Sequence, residues 1–144
     1  MKESIKITEP DYVRLNSLVH DALRQKGTDK QNLVVLSEKL EMAKRVPTFD
    51  IPHDRITMNS VVEVYDPENN QSMTIKLVFP KEANFRQGNI SIMSLLGSAL
   101  IGCREGSKIS YDVPAGKKEI IIRRIVYQPE YGPKNKSEFI LLFN

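Results

Sequence analysis

Few residues in this sequence have the chemistry of a catalytic group, and the first candidates are neighbours. His53 and Asp54 lie in the stretch VPTFDIPHDRITMNS, residues 46–60. A histidine base oriented by a carboxylate is a familiar catalytic unit. Sequence neighbours rarely face each other usefully, however, and no nucleophile motif accompanies this pair. We therefore interpret His53 or Asp54 as a residue that caps or hydrogen-bonds a connection between folded parts.

The remaining metal-binding and nucleophilic side chains are isolated. The chain has two histidines and one cysteine, which exclude an internal disulfide and make no recognisable zinc pattern. His20 falls within a predicted helix and is expected at its surface. Cys103 follows Gly102 with no basic partner predictable from spacing, so we interpret it as a small packed residue.

The glycine-rich segment SLLGSALIGCREG, residues 94–106, also lacks catalytic features. It has neither the lysine and spacing of a phosphate-binding loop nor the dinucleotide-binding fingerprint. Close packing and termination of a short helix explain its glycines better. Residue chemistry alone indicates a binding protein, with no catalytic residue, no metal site and no cofactor.

Composition narrows the class further. The chain has 144 residues, of which 40% are hydrophobic and 27% charged, and its net charge is +3. No apolar run approaches the roughly 20 residues that cross a membrane, and the start MKESIKITEP lacks the apolar stretch of a secretory signal, so we expect a cytoplasmic protein. A solvated face is predicted for the basic residues, so nucleic-acid contact is expected to be only indirect or weak. These residues are Lys117, Lys118, Arg123 and Arg124.

Two apolar stripes with helical spacing occupy the N-terminal third. Thr8 predicts the N-cap of a first helix, and Gly27 with Asp29 predicts a break and a second N-cap. Residues 8–45 are therefore predicted to form an antiparallel helical hairpin, with no strand pairing among residues 10–45. The stripes are Tyr12, Leu15, Val19 and Ala22, then Leu33, Leu36, Leu40 and Ala43.

After Ser60 the apolar period changes to two, which is typical of strands. The fold class is therefore α+β, an N-terminal two-helix hairpin followed by an antiparallel sheet domain with one short helix. Strands are predicted at about 61–65, 72–79 and 89–93, with a hairpin over 108–127 and the short helix from Ser94 to Ile101.

The predicted organisation has four parts. Residues 1–49 form the hairpin, a short coiled coil, and residues 50–59 are a linker whose prolines disfavour helix. The sheet domain covers residues 60–129, and residues 130–144 are a tail. Within that tail, Tyr131–Glu138 is a polar linker. Phe139–Phe143 is expected to dock on the hairpin or to add as a strand, with disorder as the alternative.

Two stretches of the chain resemble a known family. PHDRITMNSVVEV and NISIMSLLGSALIGCREGSKISYDVPAGKKEIIIRRIVYQPE resemble the regulator of nucleoside diphosphate kinase (Rnk) and, more widely, the C-terminal domain of the Gre transcript-cleavage factors. The resemblance implies an FKBP-like domain that docks on RNA polymerase near the rim of its secondary channel and competes with Gre factors. It also implies that residues 50–59 join the helices to the sheet domain.

The predicted hairpin tip departs from the Gre pattern. Gre factors carry a long coiled coil whose acidic tip helps to hold a catalytic magnesium ion. Each helix here is about 15 residues, or roughly 23 Å at about 1.5 Å per residue. The tip sequence RQKGTDKQ has one acid, Asp29, between the basic residues Lys26 and Lys30. A lone carboxylate is a poor magnesium ligand set, so we expect no stimulation of transcript cleavage.

The docking segment also departs from the family pattern. Gre and Rnk relatives usually have a proline after the strand that leads into the short helix, where this sequence has Leu95. Met93, Ser94 and Leu95 are the predicted polymerase contacts, whereas core packing is expected for Ile92, Leu96 and Ile101. Two alternatives remain, an FKBP-like peptidyl-prolyl isomerase and a direct regulator of a nucleotide-metabolism kinase.

Overall fold

The N-terminal part of the chain forms the predicted helical hairpin. The computed structural model of the protein describes residues 4–27 and 30–133, with the side chains of Lys30, Gln31 and Pro133 outside the description. Helix α1 spans Glu9–Arg24 and helix α2 spans Lys30–Met42. The predicted N-cap is confirmed, because Thr8 Oγ1 accepts a hydrogen bond from the backbone N–H of Asp11 at 3.2 Å.

The predicted apolar stripes face the interior of the protein. Their most buried members are at most 4% exposed, which confirms the helical period of the pattern. These members are Leu15, Val19, Leu33, Leu36 and Leu40. The predicted second N-cap, Asp29, lies outside the described residues.

Two short strands flank the hairpin and correct one prediction. Strand β1, Lys6–Thr8, pairs in parallel with β2, Lys44–Val46. The prediction that residues 10–45 pair with no strand is therefore wrong for Lys44 and Arg45. The pairing is favoured locally, because Arg45 also forms a two-pronged ion pair with Glu9 at 2.9 and 2.7 Å.

A six-stranded sheet forms the C-terminal part. Its order is β5-β4-β3-β7-β6, and β8 pairs with β7 as well. All pairs are antiparallel as predicted except β4–β5, which is parallel. The strands are β3, Val61–Asp66; β4, Gln71–Val78; β5, Asn89–Ser91; β6, Lys108–Val113; β7, Gly116–Gln128; and β8, Gly132–Pro133.

The parallel pairing has a structural cause in the connection that precedes β5. Two single-turn 3₁₀ helices, Pro80–Glu82 and Phe85–Gln87, lie in the connection between β4 and β5. The connection returns the chain to the level of Lys76, so that β5 runs in the same direction as β4. Strand β8 is a further difference, because the predicted polar linker Tyr131–Glu138 contributes Gly132–Pro133 to the sheet, where they pair with β7. Residues 134–144, including the apolar segment Phe139–Phe143, lie outside the described residues.

The short helix after β5 is confirmed. Helix α3 spans Leu95–Leu100, and Ser94 caps it by accepting a hydrogen bond from the backbone N–H of Gly97 at 3.0 Å. Gly102 follows with a φ of 76°, the left-handed conformation expected where a helix ends.

One apolar cluster connects the helices to the sheet. It runs from Leu15 and Leu36 on the helices through Ile56 to Val62 and Ile122 on the sheet, all fully buried. The division into domains at 1–49 and 60–129, and the likeness to FKBP, stay predictions. No helix in the described part of the chain is long and apolar enough to cross a membrane.

Candidate partner-binding site

The stretch between the helices and the sheet is a tight turn built by its own side chains. Ser60 Oγ lies 2.9 Å from the backbone nitrogen of Thr57, which donates to it, and 2.7 Å from Thr57 Oγ1. Asn59 adopts a left-handed φ of 68°, and its N–H donates to the carbonyl of Leu77 at 2.6 Å. The TMNS motif, residues 57–60, is therefore a structural element and not a set of reacting groups.

Helix α1 and the turn after β7 hold this turn from two sides. The buried carboxylate of Asp11 accepts the N–H of Met58 at 3.1 Å and a guanidinium N–H of Arg14 at 2.6 Å. Thr57 Oγ1 donates to Glu130 at 2.7 Å. Burial raises the pKa of the Glu130 carboxyl, and the hydrogen bond from Thr57 opposes that effect.

His53 and Asp54 have the contacts of a structural connection. The His53 ring stacks on Tyr131, with ring centroids 3.6 Å apart. Asp54 Oδ2 accepts a hydrogen bond from Arg104 Nε at 2.9 Å. The carboxylate therefore pairs with a guanidinium from another loop.

The predicted contact residues Met93, Ser94 and Leu95 lie at the start of α3. All three are half-buried, and Met93 packs against the core cluster. Asn32 of α2 donates to the Met93 carbonyl at 3.2 Å. Leu95 is the first residue of the helix, a position where proline is favoured because its N–H needs no helical partner.

The predicted core residues beside this segment are assigned correctly. Ile92 and Ile101 are fully buried, and Leu96 packs against the same cluster. Met93, Ser94 and Leu95 therefore keep part of their surface exposed, while the fully buried Ile92 and Ile101 anchor the segment in the core.

The hairpin tip is only partly described. Lys26 is exposed in the turn after α1. Asp29 and the side chain of Lys30 lie outside the described residues. In the described part of the chain, no group of three or more histidine, cysteine, aspartate or glutamate residues could hold a metal ion.

Sequence reasoning missed a lysine that faces Cys103. Lys39 Nζ donates to the carbonyls of Ala99 and Ile101 at 2.5 and 3.2 Å and lies 3.6 Å from Cys103 Sγ. Burial lowers the pKa of this ammonium, and the neighbouring Cys103 opposes the shift. Cys103 packs against the core cluster, as the interpretation of a small packed residue has it. The basic partner that spacing could not predict comes from α2, 64 positions away.

The basic cluster of β7 is paired with nearby acids. Lys118 contacts Asp66 at 2.7 Å and Arg124 contacts Glu63 at 3.2 Å. Lys117 contacts Asp112 at 3.1 Å. A phosphate-binding surface needs cations that no protein carboxylate neutralises. The observed pairing therefore agrees with the predicted solvated face.

The segment from the linker through the last long strand, residues 51–127, matches the family described as "Transcription elongation factor, GreA/GreB, C-term". This chain belongs to the GreA/GreB family of transcription elongation factors. The matched range includes the TMNS turn, α3 and the whole sheet except β8 and the last residue of β7.

Relatives of two kinds support this membership. The chain is 33% identical over 107 residues to the transcription elongation factor GreA of Pelobacter propionicus, covering 74% of this chain and 68% of that protein. It is 30% identical over 106 residues to the regulator of nucleoside diphosphate kinase of Escherichia coli, covering 74% of this chain and 76% of that one. A solved structure, the GreA/GreB transcription elongation factor from Nitrosomonas europaea, is 28% identical with a TM-score of 0.70, covering 86% of this chain and 100% of that one.

Proposed function

We propose that this GreA/GreB-family chain is an Rnk-like regulator of transcription elongation that binds RNA polymerase near the secondary channel without stimulating transcript cleavage. It acts in the cytoplasm as a binding protein and competes with cleavage-competent Gre factors for one docking surface. The family membership of residues 51–127 carries the polymerase-binding part of the proposal. The short helices of the hairpin and their contacts with the rest of the protein support the proposed absence of cleavage stimulation.

The helices are short for a probe that must enter a channel. Helix α1 has 16 residues and α2 has 13, which correspond to about 24 and 20 Å at about 1.5 Å per residue. Much of that length is used to pack on the rest of the protein, since the α2 side chains Asn32 and Lys39 both bond to carbonyls around α3. A hairpin anchored along its length has little free reach.

The start of α3 is suited to docking because it is half-exposed and rigid. Ser94 uses its hydroxyl both to cap the helix and to donate to the Ser91 carbonyl at 2.7 Å. Asn32 fixes the Met93 carbonyl from the other side. A segment held in this way loses little conformational entropy when a partner binds it.

Polymerase binding is tested by a pair of matched substitutions. Met93→Glu puts a carboxylate in the proposed contact and should weaken binding to core RNA polymerase about tenfold or more, because burying an unpaired charge is costly. Met73→Glu makes the same change on β4, where the side chain is 42% exposed, and should leave binding unchanged. Met93 gives a cleaner test than Leu95, since Leu95 also lines a cavity.

The outcome is read from affinity and from stability together. Thermal melts of both variants must remain cooperative, which shows that a variant with weaker binding is still folded. Wild-type protein that shows no affinity for the polymerase contradicts the proposed function. Equal weakening by both substitutions contradicts the assignment of Met93, Ser94 and Leu95 as contacts.

A further inference from the structure

A cavity of about 630 Å³ lies where the helical hairpin meets the sheet. Its walls come from the N-terminal segment, α2, α3 and β6, and Leu95, Ala99 and Ile109 are among the apolar residues that line it. The volume falls within the range of about 300–1,000 Å³ that small-molecule sites occupy. Such sites are also common at junctions between structural units.

Positive charge dominates the cavity lining. The described residues that line it include five cations and one acid, which are Lys39, Arg55, Arg104, Lys108, Lys117 and Asp112. Three of the cations already contact a carboxylate within about 3 Å, since Arg104 pairs with Asp54, Lys108 with Glu119 and Lys117 with Asp112. These three therefore need no further anion.

Lys39 and Arg55 differ from the others because their hydrogen bonds go to uncharged groups. Lys39 Nζ bonds to two carbonyls and to the thiol of Cys103. Arg55 donates through one terminal nitrogen to the carbonyls of Ser4 and Gly102 at 2.6 and 3.2 Å. Its Nε is buried without a hydrogen-bond partner in the described part of the chain, and the nearest carboxylate oxygen, on Asp54, is 3.9 Å away.

Arg55 is buried and Lys39 is half-buried. Cations in such positions are costly when, as among the described residues, no carboxylate is hydrogen-bonded to them. Burial lowers the pKa of Lys39, which reflects the same cost. A thiol is a weak hydrogen-bond acceptor, so an anionic oxygen in its place would bond more strongly to Lys39. The same anion could accept from the unused donors of Arg55.

We propose that this cavity binds a small amphipathic anion. Its apolar ring or short alkyl chain packs against Leu95, Ala99 and Ile109, and its single carboxylate, sulfonate or phosphate group lies at Lys39 and Arg55. The ligand would touch α2, α3 and β6 at once and would therefore stabilise the hairpin against the sheet. This inference does not rest on polymerase binding, so each can fail without the other.

The probe is anilinonaphthalene sulfonate, which has an aromatic body, one anionic group and fluorescence that rises in apolar surroundings. Cys103 provides an independent reading of occupancy, because it lines the cavity and is the only cysteine in the chain. The full chain should bind the probe at a single saturable site. Saturation should slow alkylation of Cys103 by N-ethylmaleimide about tenfold, the factor expected when about 90% of sites are protected.

Two variants locate the site, and a third serves as the control. Lys39→Met removes the charge at similar length and should weaken probe binding about tenfold or more. Ile109→Trp fills the apolar side from half-buried β6 while keeping Lys39, and should also abolish protection of Cys103. Lys81→Met changes an exposed lysine outside the cavity and should have no effect. If Lys39→Met fails to fold, Ile109→Trp decides the question.

Three results would overturn the proposal. The first is absence of saturable binding by the full chain. The second is binding that neither Lys39→Met nor Ile109→Trp changes, since the probe would then sit elsewhere. The third is binding only by a chain from which residues 139–143 have been deleted, since the cavity would then belong to the protein's own tail.

Discussion

The backbone N–H of Met58 donates to the carboxylate of Asp11 at 3.1 Å, across 47 positions of sequence. This bond joins the first helix to the turn that leads into the sheet. The Asp11 carboxylate is only 3% exposed and is also held by Arg14. The start of α1 and the TMNS turn are therefore one structural unit.

Removal of this carboxylate should destabilise the protein. Asp11→Ala leaves the Met58 N–H buried without a partner, which costs about 1–3 kcal/mol. Asp21→Ala, an exposed position on the same helix, should change the free energy of unfolding by less than about 0.5 kcal/mol. Urea unfolding of both variants measures the difference, and equal small effects would show that the bond contributes nothing.

The ion pair between Asp66 and Lys118 predicts how stability depends on acid. Hydrogen bonds from Lys118 and Asn69 lower the pKa of Asp66 from its ordinary 3.8 to about 2. A folded-state pKa below the unfolded value adds stability above the unfolded pKa, and that stability is lost as pH falls through the folded one. The free energy of unfolding should therefore decrease between pH 4 and pH 2.

Asp66→Asn should remove part of that decrease, which is measured by denaturant unfolding at several pH values. The control is Asp112→Asn, because Asp112 and its partner Lys117 are both exposed and such surface pairs contribute little. An acid dependence identical in wild type and Asp66→Asn would rule out this role for Asp66.

Gly97 in α3 offers a test of how closely that helix packs. In an exposed helix, glycine to alanine stabilises by up to about 1 kcal/mol. Here a Cβ would overlap the carbonyl oxygen of Ser91, so Gly97→Ala should destabilise by about 1–3 kcal/mol through overpacking. Thermal unfolding measures the sign, and a stabilised variant would mean that α3 packs more loosely against β5.

The apolar segment Phe139–Phe143 lies outside the described residues, and its docking stays a prediction. We expect deletion of residues 139–143 to lower the melting temperature or to change the oligomeric state, because such a segment is an aggregation hazard when exposed. Replacing the same residues with alternating serine and glycine controls for chain length and should match the deletion. No change in either property would favour the alternative that the segment is disordered.

The sequence predicted best what depends on local pattern. Thr8 as an N-cap, Ser94 as an N-cap and the apolar stripes of α1 and α2 all follow from spacing within a few residues, and the structure has each of them. Helical period and capping chemistry act locally and are therefore readable from sequence.

The sequence predicted worst what depends on contacts between distant segments. Strands β1, β2 and β5 have three residues each, too few to display a period. The parallel pairing of β1 with β2 joins segments far apart in sequence, and that of β4 with β5 depends on the irregular connection between them. Lys39 looks like an ordinary helical lysine in the sequence. Its half-buried position depends on carbonyls at the end of α3, some 60 positions away. No pattern of sequence neighbours carries that information.

The proposed binding mode predicts competition with a cleavage-competent factor. The wild-type chain should inhibit cleavage by GreA on stalled, backtracked complexes, and excess GreA should restore it, because both occupy one site. Met93→Glu should not inhibit, whereas Met73→Glu should inhibit as the wild type does. Inhibition that excess GreA cannot overcome would contradict a shared docking surface.

The most direct test of the account uses the same stalled, backtracked RNA polymerase complexes with magnesium and the wild-type chain alone. Binding to the complex and the length of the RNA are measured in one sample over time. The account predicts that the protein binds while the transcript keeps its full length, since the hairpin is short and anchored on α3. Prompt shortening of the RNA on addition of the protein would contradict it.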